Sequence, residues 1–187
     1  MHVYVALLRG INVGGNNMIS MKALKASFER LAFKDVSTYI NSGNILFRSA
    51  IADARKLEAR IEKMLVAEFQ LGCKVVVRNS AEMARLVKKL PRDWNDDKEW
   101  RYNVIFLRHS IDSKAIVDMF NPKKGIEELI YVPGTLLWSA RASDVTRTSM
   151  QKIASQKVFQ DMTVRNANTT RKLHALMQQM EGGRDGG

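Results

Sequence analysis

The chain has 187 residues, 45% of them hydrophobic, and 30 Lys and Arg against 19 Asp and Glu give it a formal charge of +11. That length and apolar share suffice for a core without staples, and the lone Cys73 excludes an internal disulfide and any Cys-x-x-Cys redox or metal site, in keeping with a reducing cytoplasm. The start, Met1-His2-Val3, lacks the basic region followed by an apolar stretch and small-residue cleavage site of a signal peptide, and no apolar run approaches the ~20 residues of a membrane helix, so a soluble, cytoplasmic protein with no membrane partner is expected.

Val3 to Leu8 reads as a strand whose alternate sets, Val3, Val5, Leu7 and Tyr4, Ala6, Leu8, are both apolar, the pattern of a strand covered on two faces. It empties into the loop from Arg9 to Asn17, with glycines at 10, 14 and 15. Ser20 then caps a helix near 21–32 that repeats Met21, Leu24, Phe28 and Leu31 at steps of three and four. Strand-like Val36 to Ile40 and Ile45 to Phe47 flank the turn Asn41-Ser42-Gly43-Asn44. A long helix bearing Ala54, Leu57, Ile61, Leu65 and Phe69 on one side leads to Val75-Val76-Val77. Strand, helix, two strands, helix, strand is the split βαβ order, which builds a four-stranded sheet with both helices on one face.

A helix near 81–90 and the polar, tryptophan-bearing stretch 91–101 follow, and then the order begins again. Val104 to Leu107 is a strand, a helix lies near 114–120, and strands at 129–132 and 136–139 flank Pro133-Gly134-Thr135. A short helix near 148–155, the strand-like Met162 to Val164 and a last helix over 169–180 complete it, with 181–187 expected as a disordered tail. The expectation is therefore an α+β fold of two ferredoxin-like βαββαβ halves, 1–79 and 102–165. A helical and polar linker at 80–101 joins them, and a C-terminal helix at 166–180 follows.

Three separated segments, Leu7-Leu8-Arg9-Gly10-Ile11-Asn12-Val13-Gly14-Gly15, Tyr39-Ile40-Asn41-Ser42-Gly43-Asn44 and Met162-Thr163-Val164-Arg165-Asn166-Ala167-Asn168-Thr169, occur in an order that resembles the bacterial family catalogued as domain of unknown function 1697. The likeness covers nearly the whole chain and implies a duplicated α+β fold. This chain departs from the family pattern with Met18 in place of a basic residue and Ala167 in place of an aromatic one. The resemblance brings no activity, cofactor or catalytic residue with it.

The candidate chemistry lies in the same segments. Glycines at 10 and 15 have P-loop spacing, but Asn16 and Asn17 stand where a phosphate-binding Lys and a magnesium-binding Ser or Thr belong, which argues against ATP hydrolysis. Arg9, at the end of a buried strand, needs a carboxylate, carbonyls or an anionic ligand for its five donors. Arg9, Asn12, Gly14, Gly15, Asn41, Ser42 and Asn44, with Arg165, Asn166 and Asn168, are the candidate binding residues for a small anionic or phosphate-bearing ligand. Structural duties are open for the same residues: Gly14 and Gly15 as turn glycines, Asn166 as the cap of the last helix, Gly43 or Asn44 as the positive-φ position of the hairpin.

His2, His109 and His174 do not stand at metal-ligand spacing, and neither a Gly-x-Ser-x-Gly nor a Ser-x-x-Lys pairing is present, so no metal is expected and no catalytic residue is named. The alternative is a nucleic-acid-binding module using the basic C-terminal segment that carries Arg141, Arg147, Lys152, Lys157, Arg165, Arg171 and Lys172, without an aromatic platform for base readout. No oligomeric state follows from the residues.

Overall fold

The computed structural model describes residues 1–12, 18–95 and 97–183, which form two compact units, Met1–Ala84 together with the chain from Leu173 on, and Arg85–Lys172. The fold is mixed α+β, with two four-stranded sheets whose neighbouring strands are all antiparallel.

The first unit runs β1 (His2–Leu8), α1 (Met21–Arg30), β2 (Lys34–Tyr39), β3 (Asn44–Ser49), α2 (Ala54–Phe69), β4 (Val75–Asn79), and then α3 (Ser80–Lys89), in sheet order β2-β3-β1-β4. Ser20 caps α1 by accepting from the Ala23 N–H, Asp53 caps α2 by accepting from Arg55, and Gln70 ends α2 in the left-handed conformation. One face of the sheet, through Tyr4, Ala6, Leu8, Ile45, Phe47 and Val77, packs with Leu24, Phe28, Leu57, Ile61 and Leu65 of α1 and α2. Val3, Val5 and Leu7 on the opposite face are buried as well.

An edge strand exposes a row of N–H groups, and β4 has its outer ones occupied. Val75 donates to Glu62 (3.1 Å) and Val77 to the buried Glu58 (3.0 Å), two carboxylates one helical turn apart on α2.

The second unit runs β5 (Trp100–Leu107), α4 (Ile116–Phe120), β6 (Glu127–Val132), β7 (Thr135–Arg141), a 3₁₀ turn (Ala142–Arg147), α5 (Met150–Ala154), a second 3₁₀ turn (Lys157–Asp161) and β8 (Met162–Asn166), in sheet order β6-β7-β5-β8. α6 (Ala167–Gly182) follows. Its core gathers Ile105, Leu107, Phe120, Leu136, Trp138 and Ile153.

Several boundaries shift by a few residues from expectation, and two of the shifts have a visible cause or consequence. β5 starts at Trp100 rather than at 104, because β7 pairs with it back to Trp100↔Arg141. The mixed polarity of Trp100-Arg101-Tyr102-Asn103 conceals this in the sequence. α6 runs through Glu181 and Gly182, where the tail was expected to begin; residues 184–187 lie outside the described residues. No described helix is long and apolar enough to cross a membrane.

Candidate functional site

The loop after β1 and the hairpin between β2 and β3 are built as one piece. The Leu8 N–H donates to the Gly43 carbonyl (2.9 Å) and the Arg9 N–H to the Lys74 carbonyl (3.1 Å), so the backbone beneath the half-buried Arg9 is held from both neighbouring strands. Gly43 has φ +71°, and an added Cβ would lie 2.9 Å from Leu8 Cβ and 3.1 Å from Ile11 Cβ, so no side chain fits between hairpin and loop. Asn12, itself at φ +53°, donates through Nδ2 to the carbonyls of Ile19 (3.0 Å) and Asn41 (2.9 Å), and its Oδ1 accepts from the Ile19 N–H (2.7 Å). One amide thus closes the base of the loop and ties it to the hairpin. Asn44 is fully buried and donates to Tyr39 O and Ser42 Oγ, both at 3.1 Å.

Of the expected residues here, Asn41 is exposed while Ser42 and Arg9 are half-buried. Gly14 and Gly15 lie outside the described residues. Cys73 neighbours Arg9; burial, followed by the charge of Glu62, raises its thiol to about 11 against a weaker opposing pull from Arg9, so it stays protonated at neutral pH.

Arg165, Asn166 and Asn168 belong to the second unit. Arg165 is buried at the end of β8, donates to Thr163 Oγ1 (2.9 Å) and Val164 O (2.8 Å), and burial lowers its pKa to about 10, which leaves it charged at neutral pH. Asn166 caps α6, accepting from the Thr169 N–H (2.6 Å).

The first unit repeats this arrangement with residues that the sequence analysis does not single out. Arg78 is buried at the end of β4 and donates to Val77 O (2.9 Å), and Asn79 caps α3 in a reciprocal box with Glu82 (2.8 and 2.9 Å). The signal is present in the chain, for Val77-Arg78-Asn79 recurs as Val164-Arg165-Asn166.

Each Arg-Asn strand end borders a notch beside the start of the unit's first strand. In the first unit Met1, His2, Val3 and Tyr4 meet Asn79, Ser80 and Ala81 around a cavity of ≈ 540 Å³ that Arg48 and Glu181 also line. Arg48 is buried, paired through Nε with Asp35 (2.7 Å) and hydrogen-bonded to the Met180 carbonyl. In the second unit Trp100, Arg101, Tyr102 and Asn103 meet Asn166, Ala167 and Asn168 around ≈ 240 Å³, with Asn95 and Asp97 on the rim. Among the described residues no three of His, Cys, Asp and Glu gather in a way that could hold a metal ion.

The model of a family described as protein of unknown function (DUF1697) matches residues 1–138. The chain belongs to this family. The match extends from β1 to Trp138 in β7, so it includes the loop and hairpin of the first unit, whereas the Arg165–Asn168 segment lies beyond it. Among solved structures, the conserved bacterial protein SP0830 from Streptococcus pneumoniae is similar, with a TM-score of 0.80 at 24% sequence identity over 94% of this chain and 98% of that one. Likeness at that identity carries the fold and no activity. A search of the curated proteins found no match.

Proposed function

We propose that the chain is a cytoplasmic internal duplication of a ferredoxin-like βαββαβ unit, and that its first unit binds a small anionic or phosphate-bearing ligand at the loop pair. The duplication is supported by the matching sheet orders and by paired details. Leu8 and Leu107 donate to Gly43 and Gly134 (both 2.9 Å), and Arg9 and Arg108 donate to Lys74 and Asp161 (3.1 and 3.0 Å). The single cysteine with a protonated thiol suits a reducing compartment.

One observation supports the ligand site above the others. The main chain at Leu8 and Arg9 is held to Gly43 on one side and Lys74 on the other, beside the hairpin that carries exposed Asn41 and half-buried Ser42, so the base of a cationic fork is fixed before any ligand arrives. Asn12 and Asn44 serve as braces that hold this geometry, and Arg165 and Asn166 do for the second unit what Arg78 and Asn79 do for the first. Arg9, Asn41 and Ser42 are the proposed contact groups.

The alternative, nucleic acid on the basic C-terminal segment, has less support. Arg147 pairs with Asp144 (2.8 Å), Arg171 donates to Pro91 O (2.6 Å), and Arg141 stacks over Trp100, so much of that charge has internal work.

A thermal-shift series with inorganic phosphate and pyrophosphate tests the loop site. Saturating anion should raise the unfolding temperature by a few degrees, the effect of about 2–3 kcal/mol of linkage at a hundredfold excess over Kd. A folded Arg9→Ala variant should lose that response. An undiminished shift in that variant would exclude Arg9 as the anchor.

A further inference from the structure

We propose that the notch of the second unit binds one planar nitrogen heterocycle of the nucleobase class, stacked against Trp100 and Tyr102 and read by the asparagines around it.

The wall is an ordered aromatic ladder. Trp100 and Tyr102 lie on the same face of β5 with ring planes 2° apart and centroids at 6.1 Å, and Tyr102 and Trp94 are 17° apart at 5.1 Å, both in the offset-stacked range. Trp94 is buried and does not line the cavity, whereas Trp100 and Tyr102 are half-exposed and do. Rings of this kind accept a base face with little regard for its identity.

The ladder is also held in place independently of any ligand. Arg171 of α6 donates to the Pro91 and Trp94 carbonyls and so anchors the segment bearing Trp94. The pairings Trp100↔Arg141 and Tyr102↔Ser139 fix the backbone that carries the other two rings, and the Arg141 guanidinium lies 5.4 Å from the Trp100 centroid. A site formed in advance loses less entropy on binding.

The rim supplies the polar half of the recognition. Asn95, Asn103, Asn166 and Asn168 line the notch, and a primary amide offers donor and acceptor together, the pairing that suits base edges. Asn166 commits its Oδ1 to the Thr169 N–H, which leaves its amide hydrogens as donors. Asp97 adds a carboxylate that accepts from an exocyclic amine, and Arg101, exposed on the same rim, is where a phosphate joined to the base would be met.

Size sets the limit. At ≈ 240 Å³ the notch falls below the roughly 300–1,000 Å³ of pockets that enclose drug-sized ligands, so it suits a single base and not a dinucleotide. The corresponding notch of the first unit has Met1 and Val3 where the second has Trp100 and Tyr102, and it provides an internal control. This site is separate from the Arg9 loops, and either can fail without the other.

Two of the three tryptophans stand in the ladder, and the third, Trp138, is buried with its indole N–H on Glu127, so indole emission reports mainly on this notch. The full chain should be titrated with AMP, CMP and UMP and with short single-stranded oligonucleotides, using wild type, Trp100→Leu and the exposed-site variant Asn168→Leu. Saturable quenching is expected, stronger for AMP and CMP than for UMP, and about tenfold weaker in Trp100→Leu, a loss within the ~1–3 kcal/mol of one stacked base.

Asn168→Leu should weaken it severalfold with the fold intact, which keeps the test valid if Trp100→Leu does not fold. Response to mononucleotides assigns the site to a free nucleotide, and response to oligonucleotides alone assigns it to a base presented by a strand. No saturable response to either, or a response that both folded variants retain in full, would overturn the proposal. Oligonucleotide binding that vanishes with added salt and ignores both variants would do the same.

Discussion

The notches of the two units occupy corresponding places and hold different chemistry. Both are bounded by the start of the unit's first strand and by an Arg-Asn strand end whose asparagine caps the following helix. In the first, Met1, Val3 and a buried Arg48 line the space; in the second, stacked Trp100 and Tyr102 with four asparagines do so. The comparison separates what the fold requires from what it leaves free. Strand order, hairpin glycine and helix cap recur, whereas the residues at the mouth of the first strand diverge, which is where a scaffold carries function.

The largest effect should come from the required part. Gly43 and Gly125 both have positive φ, +71° and +78°, yet an added Cβ at Gly43 meets Leu8 and Ile11, while at Gly125 it meets nothing within 4 Å. Gly43→Ala should therefore lose about 3 kcal/mol in urea unfolding, from left-handed strain and overpacking together, and Gly125→Ala about 1 kcal/mol from strain alone. Equal losses would mean that close packing of loop on hairpin is not what holds the first unit's site.

The second unit gathers four hydrogen bonds on one carboxylate. Glu127 accepts from Lys123 N (3.0 Å), Trp138 Nε1 (2.8 Å), Ser149 N (2.7 Å) and Ser149 Oγ (3.0 Å). Burial pushes its pKa up, but these hydrogen bonds outweigh burial and hold it below the usual carboxylate value. Glu127→Ala should cost about 2–3 kcal/mol, since it orphans the indole N–H of the buried Trp138. Because the folded value is depressed, the stabilisation is complete above the unfolded glutamate pKa of about 4.3 and is lost as pH falls through the folded value. Wild type should then lose more stability between pH 6 and roughly pH 3 than Glu127→Gln does; parallel losses would assign the acid limb to other carboxylates.

The smallest effect should distinguish the two caps. Asn79 and Glu82 cap reciprocally, whereas Asn166 faces Thr169, which cannot return the bond through a carboxylate. Asn166→Ala should cost about 1 kcal/mol and Asn79→Ala somewhat more, measured by denaturant midpoints.

The strands and helices were largely legible because their apolar residues recur at periods of two and of three to four, and an α+β arrangement follows from their order. The candidate site was legible only as segments. Asparagine and glycine mark the loops in which they stand, but nothing local tells which way an amide points. Asn12 turns back to Ile19 and Asn41, and Asn44 is fully buried. The aromatic ladder is not legible in the sequence for another reason. Trp94 sits in a connecting segment, and Trp100 opens a strand of mixed polarity revealed only by its pairing with Arg141, forty-one positions further along the chain; each ring stacks on Tyr102. The repeated Val-Arg-Asn triplet was the one local clue to both notches.

The protonated state of Cys73 has a practical use. A chain with one sulfhydryl that ionises only near about 11 offers a nearly silent background for thiol-selective dyes and spin labels at neutral pH. Cysteines introduced at exposed positions such as Asn41 or Asn168 would take up probe far faster than the native one. Conjugation chemistry can therefore address either unit by itself without first removing a natural residue.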